Sequence, residues 1–145
     1  MIKSEVIVDN FIGLYQRLNK QTLNIELLSN VYHNDIVFED CLHHIEGILV
    51  LYNYFENLYE NVDFIEFDFE NRWFGEDSAM LTWVMKYKHP RLNKGEVIEV
   101  KGASHLQFLD GKIIRHRDYF DAGALLYEHI PLLKRIIKYL KSRLA

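Results

Sequence analysis

Apolar residues recur along this chain first at helical spacing, then in alternation, and finally at helical spacing again. From Glu5 to Asn19 the residues Val6, Val8, Phe11, Ile12, Leu14, Tyr15 and Leu18 fall mostly three and four apart, which predicts a helix with one broad buried face. Leu23 to Tyr32 predicts a second, shorter helix. Asn34-Asp35 then turns the chain into a short strand, Ile36 to Glu39, and Asp40 to Glu46 is a loop rich in ionisable groups. Gly47 opens a third helix with a stripe of Ile48, Leu51, Tyr52, Phe55, Leu58 and Tyr59, ending near Asn61.

Beyond it the period drops to two. Residues 62–74 set Ile65, Phe67, Phe69 and Trp73 against Glu66, Asp68, Glu70 and Arg72. The next run sets Leu81, Trp83, Met85, Tyr87 and His89 against Thr82, Val84, Lys86 and Lys88. Gly75-Glu76-Asp77 and Asn93-Lys94-Gly95 supply turns, and Glu96 to Leu109 begins a last pair of strands. The expected order is three helices followed by a four-strand antiparallel meander. Leu125 to Leu144 closes as a helix with Leu132, Leu133, Ile136, Ile137, Leu140 and Leu144 on one side, and Pro131 suits its first turn.

The last pair, Ser104 to Asp121, carries charge into an apolar face. A three-residue turn at Leu109-Asp110-Gly111 would pair Phe108 with Lys112 and put Gly102, Ser104, Leu106 and Phe108 on one face with Ile114, His116, Asp118 and Phe120. That face then holds three polar exceptions, Ser104, His116 and Asp118. A two-residue Asp-Gly loop would instead set Phe108 against Ile113 and His105 against His116, scattering apolar residues over both faces. The first register is preferred.

With 145 residues, 49% of them hydrophobic, two prolines and no linker-like stretch, the chain is expected to be a single domain, residues 1–145, with residues 122–145 as an additional basic C-terminal helix. All 21 acidic residues lie at or before Glu128, so residues 1–129 carry a net charge of −9 and the remainder +5. An acidic body argues against nucleic acid as a partner. The single Cys41 excludes an intramolecular disulfide, and a small buried hydrophobe is its expected role. The N-terminus lacks the apolar run of a secretory signal, so a cytoplasmic address is the expectation. No His, Cys or carboxylate spacing suits a metal, and no glycine-rich phosphate loop is present; neither metal nor cofactor is expected.

Several strings now fit one pattern: Phe11 to Asn19 followed by Leu23, Tyr32-His-Asn-Asp-Ile-Val-Phe-Glu-Asp40, Gly47 with Tyr54-Phe55, Ala79-Met-Leu-Thr-Trp83, and Gly111-Lys-Ile with Tyr119. Together, over about residues 5 to 121, the chain resembles the nuclear transport factor 2-like superfamily, in its SnoaL-like and ketosteroid isomerase-like branch. The resemblance implies an α+β cone, with three N-terminal helices packed on a curved antiparallel sheet, and a deep pocket between them. Its enzymes run cofactor-free acid/base chemistry on hydrophobic substrates, while other members only bind or dimerise.

Asp40 matches the general-base aspartate of ketosteroid isomerases, although Cys41 stands where the family usually has proline; the alternative is that Asp40 caps a turn or binds loop amides. Asp118 lies where SnoaL-like cyclases are similar in placing an acidic residue. With His116 two positions away on the same face it could form an acid/base pair, or a buried network with Ser104 or Tyr15 that needs no catalysis. Ser104 replaces the protonated aspartate of the steroid isomerase oxyanion hole, and the tyrosine of that hole falls at Leu14 or Tyr15. Steroid isomerisation is therefore not expected.

Phe55, Trp73, Trp83, Met85, Tyr87, Phe108 and Phe120 are expected to wall a pocket, though each on its own could simply be core. Of the loop histidines His43 and His44, one turned inward would form a polar gate, the alternative being that both are simply exposed, as loop histidines more commonly are; His44 is counted among the pocket contacts. The expected ligand is small, hydrophobic or lipid-like, and carbonyl-containing. It is isomerised, cyclised or hydrated by Asp40, Asp118 and His116, or bound without turnover. The outer sheet face, with His105, Gln107, Ile113 and Tyr119, suits a homodimer. The basic helix is read as a solvated face docked on the acidic body, with contact to an anionic membrane as the less favoured alternative.

Overall fold

Three helices lie over one side of a six-stranded sheet, and the reason is the switch from three-and-four spacing to alternation. A computed structural model describes residues 2–144. In chain order it holds α1 (Ser4–Arg17), α2 (Ile25–Ser29), β1 (Tyr32–Glu39), β2 (His44–Glu46), α3 (Ile48–Asn61), β3 (Phe64–Gly75), β4 (Ser78–Lys88), β5 (Ile98–Leu109), β6 (Lys112–Phe120), α4 (Ala122–Leu125) and α5 (Pro131–Leu144). The sheet is curved and unclosed, with strand order β2-β1-β6-β5-β4-β3. All neighbours are antiparallel except β1 and β6, which run parallel. The fold is the expected α+β cone.

Helix α1 buries Ile7, Val8, Phe11 and Leu14, and α3 buries Ile48, Leu51, Phe55 and Tyr59, each set on one side. Strand β4 alternates without interruption, Ala79, Leu81, Trp83, Met85 and Tyr87 facing in. The second helix is shorter than expected. Asn24 caps it by accepting from the Leu27 amide at 2.9 Å, and after Ser29 the chain extends early, so Tyr32 starts β1 instead of ending a helix.

Two bulges correct the expected registers. In the last hairpin Asp110 and Gly111 both adopt positive φ, 54° and 77°, so the turn has two residues and sets Phe108 opposite Ile113. Gln107 then faces Arg115, leaving Ile114 without a partner, and alternation is restored beyond it. Ser104 faces Asp118, Leu106 faces His116 and Gly102 faces Phe120. The inward set at His116 and Asp118 is the expected one, reached through the other turn plus a bulge. Ile113 is fully buried, not on the outer face where a homodimer contact was expected.

The second bulge is at Glu70, since Phe69 faces Trp83 while Asn71 faces Thr82. Parity flips there. Arg72, not Trp73, comes to the helix side and binds Asp9 of α1 at 2.8 Å, and Trp73 is 56% exposed on the outer face instead of lining the cone.

The C-terminal stretch departs most. It breaks into α4, a 3-10 turn at Tyr127–His129 and α5, and α5 packs on that turn with no residue buried. Its packing is against that turn, with Lys141 donating to Glu128 at 2.9 Å, and not against the helices and sheet of the cone, where docking on the acidic body was expected. No helix among the described residues is long and apolar enough to cross a membrane.

Candidate functional site

Between α1, α3 and the inner face of the sheet a cavity of about 440 Å³ remains open, a volume that suits a small organic ligand. Tyr15 comes from α1, Phe38 from β1, Tyr54, Phe55 and Tyr59 from α3, and Phe67, Trp83, Met85, Tyr87 and Phe120 from the sheet. Leu125 and Leu126 close one side, and the Tyr87 hydroxyl donates to the Leu125 carbonyl. Asp40 and Asp118 both line the cavity, and no Lys or Arg does among the described residues.

Trp83 is placed by Gly102, its cross-strand partner: a Cβ there would sit 2.6 Å from two carbons of the indole. Gly102 thus lets the ring lie against the strand, and its Nε1 donates to Ser104 Oγ at 2.9 Å.

Ser104 in turn donates to Asp118 Oδ1 at 2.5 Å, and His116 Nε2 meets the same oxygen at 2.6 Å. The other imidazole nitrogen, Nδ1, is 2.8 Å from the Tyr32 hydroxyl, which is 2.8 Å from the Tyr15 hydroxyl. The His116 side chain is 1% exposed, so its part of the hydrogen-bonded chain running Asp118, His116, Tyr32, Tyr15 is buried. The two ends of the chain both reach the cavity. Burial first, then the neighbouring Tyr32 and Asp118 charges, push the Tyr15 hydroxyl well above its ordinary pKa; burial does the same to Tyr32. Both tyrosines therefore stay neutral O–H donors near neutral pH.

Asp40 is held differently. Its Oδ1 accepts from the Leu42 and His43 amides, each at 2.7 Å, and stands 3.1 Å from His43 Nδ1. The loop-amide role is thus real, and one carboxylate oxygen is fully occupied by it. Cys41 beside it is exposed, not a buried hydrophobe, and desolvation together with the Asp40 charge pushes its thiol up, away from thiolate.

Of the residues expected at the site, Tyr15, Asp40, Phe55, Trp83, Met85, Tyr87, Asp118 and Phe120 line the cavity. His116 and Ser104 sit behind Asp118 as its partners. Phe108 packs at the far end of the core beyond the bulge, and Trp73 lies outside. His44 is also outside: β2 turns Ile45 inward, so its neighbours His44 and Glu46 face solvent and pair there at 3.0 Å, while His43 is the loop histidine that reaches the cavity. Tyr32 was missed because it read as the end of a helix. His89 read as a strand end, yet it lines the cavity, and Phe38 and Phe67 belonged to runs whose inward faces were legible.

The chain matches the SnoaL-like domain family over residues 12–116. None of the curated proteins matches it by sequence. Among solved structures it is similar to a candidate SnoaL-like polyketide cyclase from Jannaschia sp. CCS1, with a TM-score of 0.75, 16% identity, and 90% of this chain and 96% of that one covered. A Catenulispora acidiphila DSM 44928 protein with a ketosteroid isomerase-like fold, in complex with trimethylamine, gives a TM-score of 0.72, 12% identity and coverages of 88% and 94%. An LEH-like epoxide hydrolase from M. tuberculosis gives 0.65, 16%, 95% and 94%. At these identities the likeness establishes the fold alone.

Proposed function

The chain belongs to the SnoaL-like domain family, and from that premise we propose that its cavity binds a small hydrophobic, carbonyl-containing molecule and moves a proton on it without a cofactor. The observation that carries the reading is the hydrogen-bonded chain from Asp118 to Tyr15, both ends of which line the same aromatic cavity.

The chain can be polarised in two ways. With His116 neutral and Asp118 ionised, Nε2–H donates to Asp118, Tyr32 donates to Nδ1, and Tyr15 donates to Tyr32, which turns lone pairs of Tyr15 to the cavity. With His116 protonated, Nδ1–H donates to Tyr32, Tyr32 donates to Tyr15, and the Tyr15 O–H is released to donate to a ligand oxygen. In that second state Asp118, whose Oδ1 is taken by Ser104 and His116, takes a proton from the carbon next to a carbonyl through Oδ2, and Tyr15 stabilises the oxygen on which charge develops. Returning the proton to another carbon isomerises the substrate. In a cyclisation the enolate carbon attacks a second carbonyl of the same molecule, whose oxygen takes the proton; in a hydration Asp118 takes the proton from water, the hydroxide adds to the carbon β to the carbonyl, and the proton goes to the α carbon.

Asp40, with one oxygen engaged by loop amides, serves with His43 as a second polar contact at the cavity wall. Steroid isomerisation is not proposed, because the Ser104 proton is spent on Asp118. The cyclase and epoxide hydrolase designations of two structural neighbours agree with chemistry on organic molecules, and support the class, not the reaction.

The test uses 2-tetralone, a hydrophobic ketone with exchangeable α-protons. In D2O the protein should accelerate deuterium incorporation, followed by NMR. Asp118→Asn should lower the rate by about 10² to 10⁴, and Tyr15→Phe by about 10² or more. If tetralone binds and exchanges no faster than in buffer, proton transfer is wrong and the cavity is a carrier's.

A further inference from the structure

Helix α5 presents two unlike sides. Leu133, Ile136, Leu140 and Leu144 run along one, three and four residues apart, while Lys134, Arg135, Lys138 and Lys141 occupy the other. No residue of the helix is buried, and Leu132 and Leu140 are 69% and 56% exposed. An apolar stripe of this length left in water calls for something to cover it.

Charge selects what covers it. Residues 131–144 contain five cations and no acidic group. Lys141 donates to Glu128 at 2.9 Å, and the other four make no ion pair among the described residues. An isologous pairing of α5 with α5 would set cations against cations and draw Arg143, on the apolar side near the end, into the seam. Nor does the body of a second copy present a matching groove. Of two further hollows among the described residues, the one with Glu39, His105 and Arg115 is mainly polar and holds cations of its own, and the one at the last hairpin is walled by Ile2, Ile7, Phe108 and Leu109 on a few residues only, too short for a stripe that runs the length of the helix. A basic polar side opposite a leucine and isoleucine side is the form of a helix that lies in an anionic lipid interface.

Position agrees. The chain runs from Leu125 and Leu126, which line the cavity, through the Tyr127–His129 turn directly into α5. A surface that holds α5 therefore holds the cavity wall near the lipid. The net charge of −9 on residues 1–129 does not oppose this, because charges more than about 8 Å from the surface are screened at physiological salt, and the separation of sign turns the basic end toward it. We infer that α5 docks the protein on an anionic membrane surface, its apolar side in the acyl boundary and its Lys and Arg side chains against the headgroups. The docking stands independently of whether the cavity turns its ligand over.

The experiment is flotation of the full chain with vesicles of phosphatidylcholine alone and of phosphatidylcholine with about a third phosphatidylserine. Binding is expected to the anionic vesicles only, and to fall as salt is raised. The double variant Lys134→Glu with Lys138→Glu, and separately Ile136→Asp with Leu140→Asp, should each weaken it at least about tenfold. Ile136 and Leu140 are exposed, so the second pair leaves the fold intact, which far-UV circular dichroism checks. Absence of binding to anionic vesicles overturns the inference, as does binding that neither pair weakens. Self-association lost in the Asp pair, without vesicle binding, overturns it too and assigns the helix to a second copy.

Discussion

Tyr32 links the chemistry to the core. It is fully buried, and its hydroxyl is the only bridge between His116 and Tyr15 among the described residues. Tyr32→Phe removes the bridge without changing the packed ring, leaving His116 Nδ1 and the Tyr15 hydroxyl each short of a partner. Unsatisfied buried groups cost about 1–3 kcal/mol, so the urea midpoint should fall by that equivalent; an unchanged midpoint would mean that water or a rotated tyrosine replaces the bond. The candidate acid and its histidine were legible in sequence because Asp118 and His116 share the parity of an apolar face. Their partner Tyr32 was not, because it lies 84 positions from His116 and only the β1–β6 pairing brings the two together.

At the scale of elements, bulges decide which residues the cone can use. Alternation alone places Trp73 and Trp83 on one side, and a single extra residue at Glu70 sends Trp73 outside. The contrast is measurable. Trp83→Ala should cost about 3–5 kcal/mol of unfolding free energy, as a buried aromatic does, whereas Trp73→Arg should stay within about 0.5 kcal/mol, as for surface changes. Equal losses would place both rings in the core. Ile114 does the reverse in the last hairpin: the Asp110-Gly111 turn shifts the strands by one, and the unpaired Ile114 shifts them by one more, which restores parity, so His116 and Asp118 stay inward. Strand parity was therefore readable on the far side of that bulge, and misread on the far side of the bulge at Glu70. The exposed side of α5 was likewise unreadable, since its stripe specifies an amphipathic helix and not what covers it.

For the whole molecule, the buried tyrosines set its behaviour in alkali. Desolvation holds Tyr15, Tyr32 and Tyr59 above the ordinary tyrosine range, while Tyr87 is pushed up to about 12. Because the folded-state values are raised, the stabilisation is complete below the unfolded value near pH 10 and is lost as pH climbs toward the folded ones. In that window the unfolded chain binds fewer protons than the folded one. Stability should then fall by up to about 1.4 kcal/mol per pH unit for each such tyrosine. Denaturation curves between about pH 9 and 11, recorded with tyrosinate absorbance, check this. Tyrosinate appearing well before unfolding would show that the rings meet solvent. The sequence by itself determined the α+β class, the helix stripes, the inward face of β4 and the polar exceptions at Ser104, His116 and Asp118, because periodicity and side-chain type are local properties of a chain. The tertiary structure alone decided the joining of Asp118 to Tyr15 through His116 and Tyr32, the exclusion of Trp73, His44 and Phe108, and the uncovered side of α5. Those outcomes depend on strand pairing and packing between distant segments, which no local pattern encodes.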